Sequence, residues 1–311
     1  MTPEVINMFK FLEKQSYLVI LLVLGVMLII ISFFDVKDFS KLQIESRNNV
    51  VWLGVVIGSI LSGFSLFFYA QDRLTLGWFK SASVRIKDGR LYAPCGHAQI
   101  NISFGKIEDK SQMAPSSMVV LPANEYFDSE CIFDTKSSLG AYIQSIFPNQ
   151  ALEVQKLIQE ELVTLKSRKE EKEPGITQAS YGIGAGVFLK KALHSNQPII
   201  FVSVTTKRAH EGLRAEMSYI FAAVKKIQQI SADNRIDTVC IPVVGTGHGG
   251  LRKEVGLFSL LLAICDGISK PTGHHIKQYN IVVYRASPNE KPSISINSSK
   301  RILKTAIGLF E

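Results

Sequence analysis

Between Gly245 and Gly250, four of six residues are glycines (Gly245, Gly247, Gly249, Gly250), with Thr246 and His248 set among them. Glycine removes the Cβ atoms that would keep backbone N–H groups away from an anion. The apolar run Thr238–Val244 reads as a buried strand feeding this turn, and Leu251–Ile264 as the helix that leaves it. A helix placed there points its positive end at the same spot. Strand, glycine turn and helix form a phosphate cradle, with the backbone N–H groups of Gly245 to Gly250 as its donors. The competing reading is a tight turn that needs positive φ. His248 either touches a ligand group or faces water.

The elements around this turn must position it. Short strands are expected at 82–86, 89–92 and 98–104, with Asp88-Gly89 as a hairpin signal between the first two. Met118–Leu121 is a buried strand ending at Pro122, followed by a polar loop to Asp134. A helix is expected from Ser137 or Ser138 to Phe147, and a second over Ala151–Lys166. Ser167–Gly175 reads as a charged linker and Ser180–Leu189 as a glycine-spaced strand. Pro198–Thr205 is a buried strand, Glu211–Ile230 a long helix, Tyr279–Tyr284 a last strand, and Ser299–Phe310 a closing helix. Alternating strands and helices predict an α/β sandwich, parallel in its middle. Ligands of such sheets sit outside the carboxyl ends of the strands, where the loops Pro122–Asp134 and Gly245–Gly250 both fall.

Composition narrows the classes. The 311 residues are 46% hydrophobic with a formal charge of +8, a mean hydropathy of +0.16 and a pI near 9.2. No Lys/Arg block with interleaved aromatics appears, which argues against nucleic acid as a partner. Cys95, Cys131, Cys240 and Cys265 are scattered without metal-ligand spacing, and His274-His275 stands without further ligands nearby. No metal, cofactor or catalytic residue is assigned.

The apolar excess lies at the N-terminus. Residues 17–34 and 50–70 carry no charge, and each is long enough to span a bilayer core of ~30 Å. A two-helix transmembrane hairpin over residues 1–73 is expected, ahead of a domain over 74–311. Lys10 and Lys14 precede the first span; Arg73, Lys80, Arg85, Lys87 and Arg90 follow the second. That bias predicts a multi-pass protein with its C-terminal domain in the cytoplasm. Gly54, Gly58 and Ser62 recur at four-residue spacing, a face on which helices of a homo-oligomer, or of the hairpin itself, can approach closely.

Two motifs resemble those of macro domains, the ADP-ribose-binding α/β/α modules. Pro122-Ala123-Asn124 resembles their strand ending in an alanine–asparagine turn, and Val243–Gly250 resembles their diphosphate-binding loop. Gly105-Lys106-Ile107 resembles a Gly-Asp-Ile motif, with Lys106 in place of the aspartate that meets adenine. The resemblance implies a three-layer α/β/α fold and a site formed by Asn124, Phe127, Asp128, Gly245, Thr246, Gly247, His248, Gly249 and Gly250. Asn124 and Asp128 would bond ribose hydroxyls and Phe127 would stack on a sugar or base. Each also has a structural reading: turn residue, solvated charge, plug over the core. The hydrolases of that superfamily place a glycine run and an acid after the asparagine; residues 125–135 contain no glycine. A reader is therefore expected rather than an eraser.

The whole arrangement is similar to the membrane-anchored effectors of type II Thoeris anti-phage systems. That resemblance implies an inner-membrane protein that senses a histidine–ADP-ribose type of signal, made from NAD by a TIR-domain partner. It then oligomerises and disrupts the lipid bilayer, killing the infected cell. A membrane-tethered ADP-ribosyl hydrolase and a passive reader of ADP-ribosylated proteins are the alternatives.

Overall fold

The structure is a computed structural model that describes residues 56–59, 62, 83–112, 116–208, 212–270 and 275–310. The chain divides into two compact units, Met1–Phe79 and Lys80–Glu311. In the first, residues 56–59 and 62 are helical; the rest of both expected spans, Gly54 included, lies outside the described residues. Among the described residues no helix is long and apolar enough to cross a membrane.

The second unit runs β1 (Arg85–Lys87), β2 (Arg90–Cys95), β3 (Ala98–Gly105), β4 (Met118–Asn124), α1 (Glu130–Phe133), α2 (Ser138–Ile146), α3 (Ala151–Leu162), β5 (Arg168–Glu173), β6 (Ile176–Ser180), β7 (Gly186–Leu189), β8 (Ile199–Arg208), β9 (Gly212–Arg214), α4 (Met217–Asn234), β10 (Thr238–Pro242), α5 (Lys253–Ser269), β11 (Gln278–Tyr284) and α6 (Ile296–Gly308). The main sheet has the order β1-β2-β3-β11-β10-β4-β8-β7, with β9 on the end of β8. The five strands from β3 to β8 in that order are parallel, and the flanking pairs are antiparallel.

Side-chain alternation along these strands sorts residues into two cores. Met118, Val120, Ile200, Val202, Val239, Ile241, Ile281 and Val283 join α4, α5 and α6 on one face. Val119, Leu121, Ile199, Phe201, Cys240 and Val282 join α1, α2 and α3 on the other. Strands buried on both faces must be apolar at every position, which is why they read as unbroken hydrophobic runs. Ser137 caps α2 by accepting the Gly140 N–H at 2.9 Å, and Ser295 caps α6 through Ser298 N–H at 3.1 Å.

Three expectations need correction. The charged stretch 167–175 is no linker: β5 pairs with β6 as a separate two-stranded sheet. Pro174-Gly175, with Gly175 at φ +78°, turns the chain back on itself. The expected strand 180–189 divides into the end of β6, a loop with Gly182 and Gly184 at positive φ, and β7. The long helix begins at Met217, because β8 continues to Arg208 and pairs with β9 before the helix starts. The polar loop after β4 also contains the one-turn helix α1.

Gly140 lies where α2 crosses the end of α1. A Cβ there would stand 2.2 Å from the Asp134 carbonyl oxygen, a backbone atom that cannot rotate away. Gly140→Ala is expected to lower stability by about 1–3 kcal/mol, read as a shifted denaturant midpoint at unchanged slope.

Candidate functional site

Parallel strands deliver their following loops to one rim. Over the ends of β3, β11 and β10 that rim opens into a cleft of about 450 Å³. Its lining includes Lys106, Thr135 to Ser138, Thr246, Gly247, Lys253, Tyr284 and Ser293. Lys106, Lys136 and Lys253 face one carboxylate, that of Glu108, so the cleft is cationic. Residues at the N-terminal ends of α2 and α5 line it, and the partial positive charge of both helix ends adds to the same field. Tyr284, at the carboxyl end of β11, is 58% exposed and offers an aromatic wall.

The four glycines of the turn are there for different reasons. Gly245 and Gly250 have φ of +77° and +72°, which side chains rarely adopt. Gly249 is buried against Ala215, where a Cβ would come within 2.7 Å. Gly247 has ordinary φ and nothing within 4 Å of an added Cβ. Its missing side chain is open space in the cleft. The turn closes on itself through Gly250 N–H to Gly247 O and Leu251 N–H to Gly245 O, both 3.1 Å. Among the described residues, the amides of Thr246, Gly247, His248 and Gly249 have no hydrogen-bond partner. Four successive free donors beside a helix N-terminus are suited to an anion with several oxygens.

The other half of the rim, over β4 and β8, is closed. Asn124 is 2% exposed; its Oδ1 accepts the Tyr126 N–H at 3.0 Å and its Nδ2 donates to Asp128 Oδ2 at 2.9 Å. Asp128 also holds Lys172 Nζ of β5 at 2.8 Å, with side chains 8% and 7% exposed. Glu125 accepts from Ser180 Oγ at 3.0 Å and from Thr206 Oγ1. Lys207 pairs with Glu173, and its hydrogen bond holds the Glu173 carboxyl below its ordinary range. The β5–β6 hairpin is thus fastened by polar contacts across the loop that follows β4. Phe127, rather than Asn124, takes the left-handed conformation in this loop (φ +49°) and lies in the second core, edge-on to Tyr181 at 5.9 Å. Cys131, beside Asn124 and Asp128, has its thiol pushed up to about 12 by burial and by the Asp128 carboxylate, which favours the neutral thiol.

Of the residues singled out in the sequence, Thr246 and Gly247 line the open cleft, and Gly245, His248, Gly249 and Gly250 belong to the same turn. His248 Nε2 meets Asp134 Oδ2 at 3.2 Å, linking the glycine turn to the loop after α1. Asn124, Phe127 and Asp128 lie together in the closed half. Sequence reasoning did not assign Lys136, Lys253, Tyr284 or the helix start at Ser137–Ser138 to the site. Their signal was position, each next to a strand's carboxyl end or a helix N-terminus.

A parallel-centred sheet between two helical layers, with a glycine turn at its carboxyl rim, is the macro-domain fold. Residues 100–284, more than half of the chain, match the family described as Thoeris protein ThsA, Macro domain, and the chain belongs to that family. Among curated proteins none matches. Similar solved structures include the Oceanobacillus iheyensis macrodomain with MES bound, at 11% identity and TM-score 0.46, covering 70% of this chain and 94% of that one. The Trypanosoma brucei macrodomain in complex with ADP is 9% identical at TM-score 0.43, covering 68% and 69%. Thermosipho africanus DarTG in complex with ADP-ribose is 12% identical at TM-score 0.40, covering 66% and 45%.

Lys172 contributes the one buried side chain of β5. Lys172→Ala leaves the Asp128 carboxylate without its cation, at a cost of about 3 kcal/mol. The expected readout is faster amide exchange over residues 168–180 together with a lower unfolding midpoint.

Proposed function

We propose that this chain is a ligand-gated effector whose macro domain binds an ADP-ribose-type nucleotide in the open cleft. The observation that carries this reading is the run of four free amides, Thr246 to Gly249, next to the vacant side-chain space of Gly247. A diphosphate satisfies those donors, the three cleft lysines balance its charge, and Tyr284 supplies a surface for a base or sugar. Membership of the Thoeris ThsA family, with the macro-domain resemblance of the two loops, supports an ADP-ribose-type ligand and a role in anti-phage defence.

The finer reading rests on the apolar N-terminal runs and on the resemblance to membrane-anchored Thoeris effectors. Residues 17–34 and 50–70 anchor the chain in the inner membrane with the macro domain cytoplasmic. A TIR-domain partner that consumes NAD makes the signal, of histidine–ADP-ribose type. Binding favours one arrangement by differential affinity, copies associate through the Gly54, Gly58 and Ser62 face, and the bilayer is breached. Binding without turnover is favoured by Asp128, which is engaged by Asn124 and Lys172 and covered by the hairpin, away from the cleft. His248 is in turn engaged by Asp134.

Two measurements test this. Calorimetric titration of the protein with ADP-ribose and with its histidine conjugate is expected to give micromolar or tighter binding, tighter for the conjugate. Binding of neither refutes the cleft as a sensor. Gly247→Ala is expected to keep the parent's stability within about 0.5 kcal/mol while weakening the ligand. Gly247→Glu adds a carboxylate where the anion sits and is expected to weaken binding at least about 100-fold, or 2.7 kcal/mol. Unchanged affinity in Gly247→Glu places the ligand elsewhere.

A further inference from the structure

A second cationic surface lies away from the cleft. The first core takes Leu91, Ala93 and Cys95 of β2 and Ala98, Ile100 and Ile102 of β3. The opposite face of these strands contributes nothing to the second core among the described residues. It is polar by construction. Gln99 Nε2 donates to Asn101 Oδ1 at 3.0 Å, Asn101 Nδ2 to Asn280 Oδ1 at 2.9 Å, and Gln278 Nε2 to the same oxygen at 2.8 Å. This amide ladder satisfies itself across β3 and β11, so the face is stable without a helix on it.

Beside the ladder is an open groove of about 620 Å³, lined among others by Arg85, Lys87, Tyr92, His97 and Lys277. Among the described residues no carboxylate lines it. Arg85 pairs with Tyr92 and Lys87 with Arg90 across the β1–β2 ladder, which puts these side chains on one face. Lys277 comes from the far end of the chain, just before β11. Arg85 and Lys87 of β1 and Lys277 from a distant part of the sequence therefore converge on a surface with no counter-charge among its described residues, while the acidic side chains of β5 lie in another sheet.

We propose that this face binds the anionic headgroups of the bilayer in which the chain is anchored. The proposal rests on the anchored reading given above. Twelve residues, 71–82, separate the apolar run ending at Ala70 from Ser83 at the groove, and they carry Arg73 and Lys80 against one acid, Asp72. Twelve residues reach at most ~40 Å, which limits how far Ser83 can lie from position 70. A cationic sheet face meets the negative potential of an anionic bilayer surface over several lipids at once. Arg85 and Lys87, which count towards the orientation bias in the sequence, thus gain a second role, on a set of residues different from those of the nucleotide cleft.

The full chain is reconstituted into vesicles of phosphatidylcholine alone or mixed with phosphatidylglycerol, recovered by flotation, and acetylated at limiting reagent. Mass spectrometry reads Lys87 and Lys277, with exposed Lys190 and Lys191 as internal controls. The expected result is acetylation at least about five-fold slower at Lys87 and Lys277 in the anionic vesicles, the size expected for one basic side chain at such a surface. The controls stay unchanged and the effect is abolished in 1 M salt. Equal rates in the two vesicles, with the chain floating in both, overturn the proposal, as does protection that survives 1 M salt. A chain that floats with neither overturns the anchored reading itself. In a Lys87→Glu, Lys277→Glu variant that unfolds at the parent's midpoint, anionic lipid is expected no longer to slow trypsin cleavage at Arg85; continued slowing there refutes the groove as the contact.

Discussion

The parallel ladder β3-β11-β10-β4-β8 is the constraint on which the rest depends. Parallel strands cannot be joined by tight hairpins, so each must be followed by a crossover that returns outside the sheet. The same geometry sends every post-strand loop to one rim. Here that rim receives Gly105–Glu108, the loop from Asn124 to Asp134, Val243 to Leu251, and the chain after Tyr284. Segments more than a hundred residues apart in sequence become one surface, and the register of β10 between β11 and β4 sets where the glycine turn falls on it.

On that rim, backbone and side chains divide the work. The glycine turn keeps its shape through Gly245 and Gly250, makes room for Ala215 through Gly249, and leaves space through Gly247. Thr246 supports it from inside: its hydroxyl donates to Val243 O at 3.0 Å, and its methyl lies against Gly256 of α5, where a Cβ would be 2.2 Å away. The helix that supplies the positive end is thus held against the turn by the absence of a side chain one turn into it.

The closed half follows a different logic. Around Asn124 and Asp128 the polar groups are buried, and burial is tolerable only with partners. Those partners come from the β5–β6 hairpin and the end of β8: Lys172, Ser180 and Thr206. Apart from Lys172 and Ser180 the hairpin's residues are exposed or half-buried, so ionic and hydroxyl contacts keep it in place rather than an apolar core. Residues that look like ligand contacts by motif are, in this arrangement, the fastening points of a covering hairpin.

The sequence by itself determined the fold class and most of the elements of the main sheet and its helices. Short apolar runs bounded by turn signals marked strands buried on both faces, Ser137 announced the start of α2, and four glycines in six positions marked a turn where backbone meets something other than side chain. It also carried Pro174-Gly175, a turn signal that reveals β5 and β6 once the charges around it are not read as a linker. What only the tertiary structure decided is which loops share an opening. Lys106, Lys136, Lys253 and Tyr284 form one cleft, and Arg85, Lys87 and Lys277 one groove, through strand order, and strand order is a long-range choice that local periodicity does not encode. The fate of Asn124 and Asp128 was likewise beyond sequence, because whether a polar side chain meets ligand or lysine depends on what folds over it.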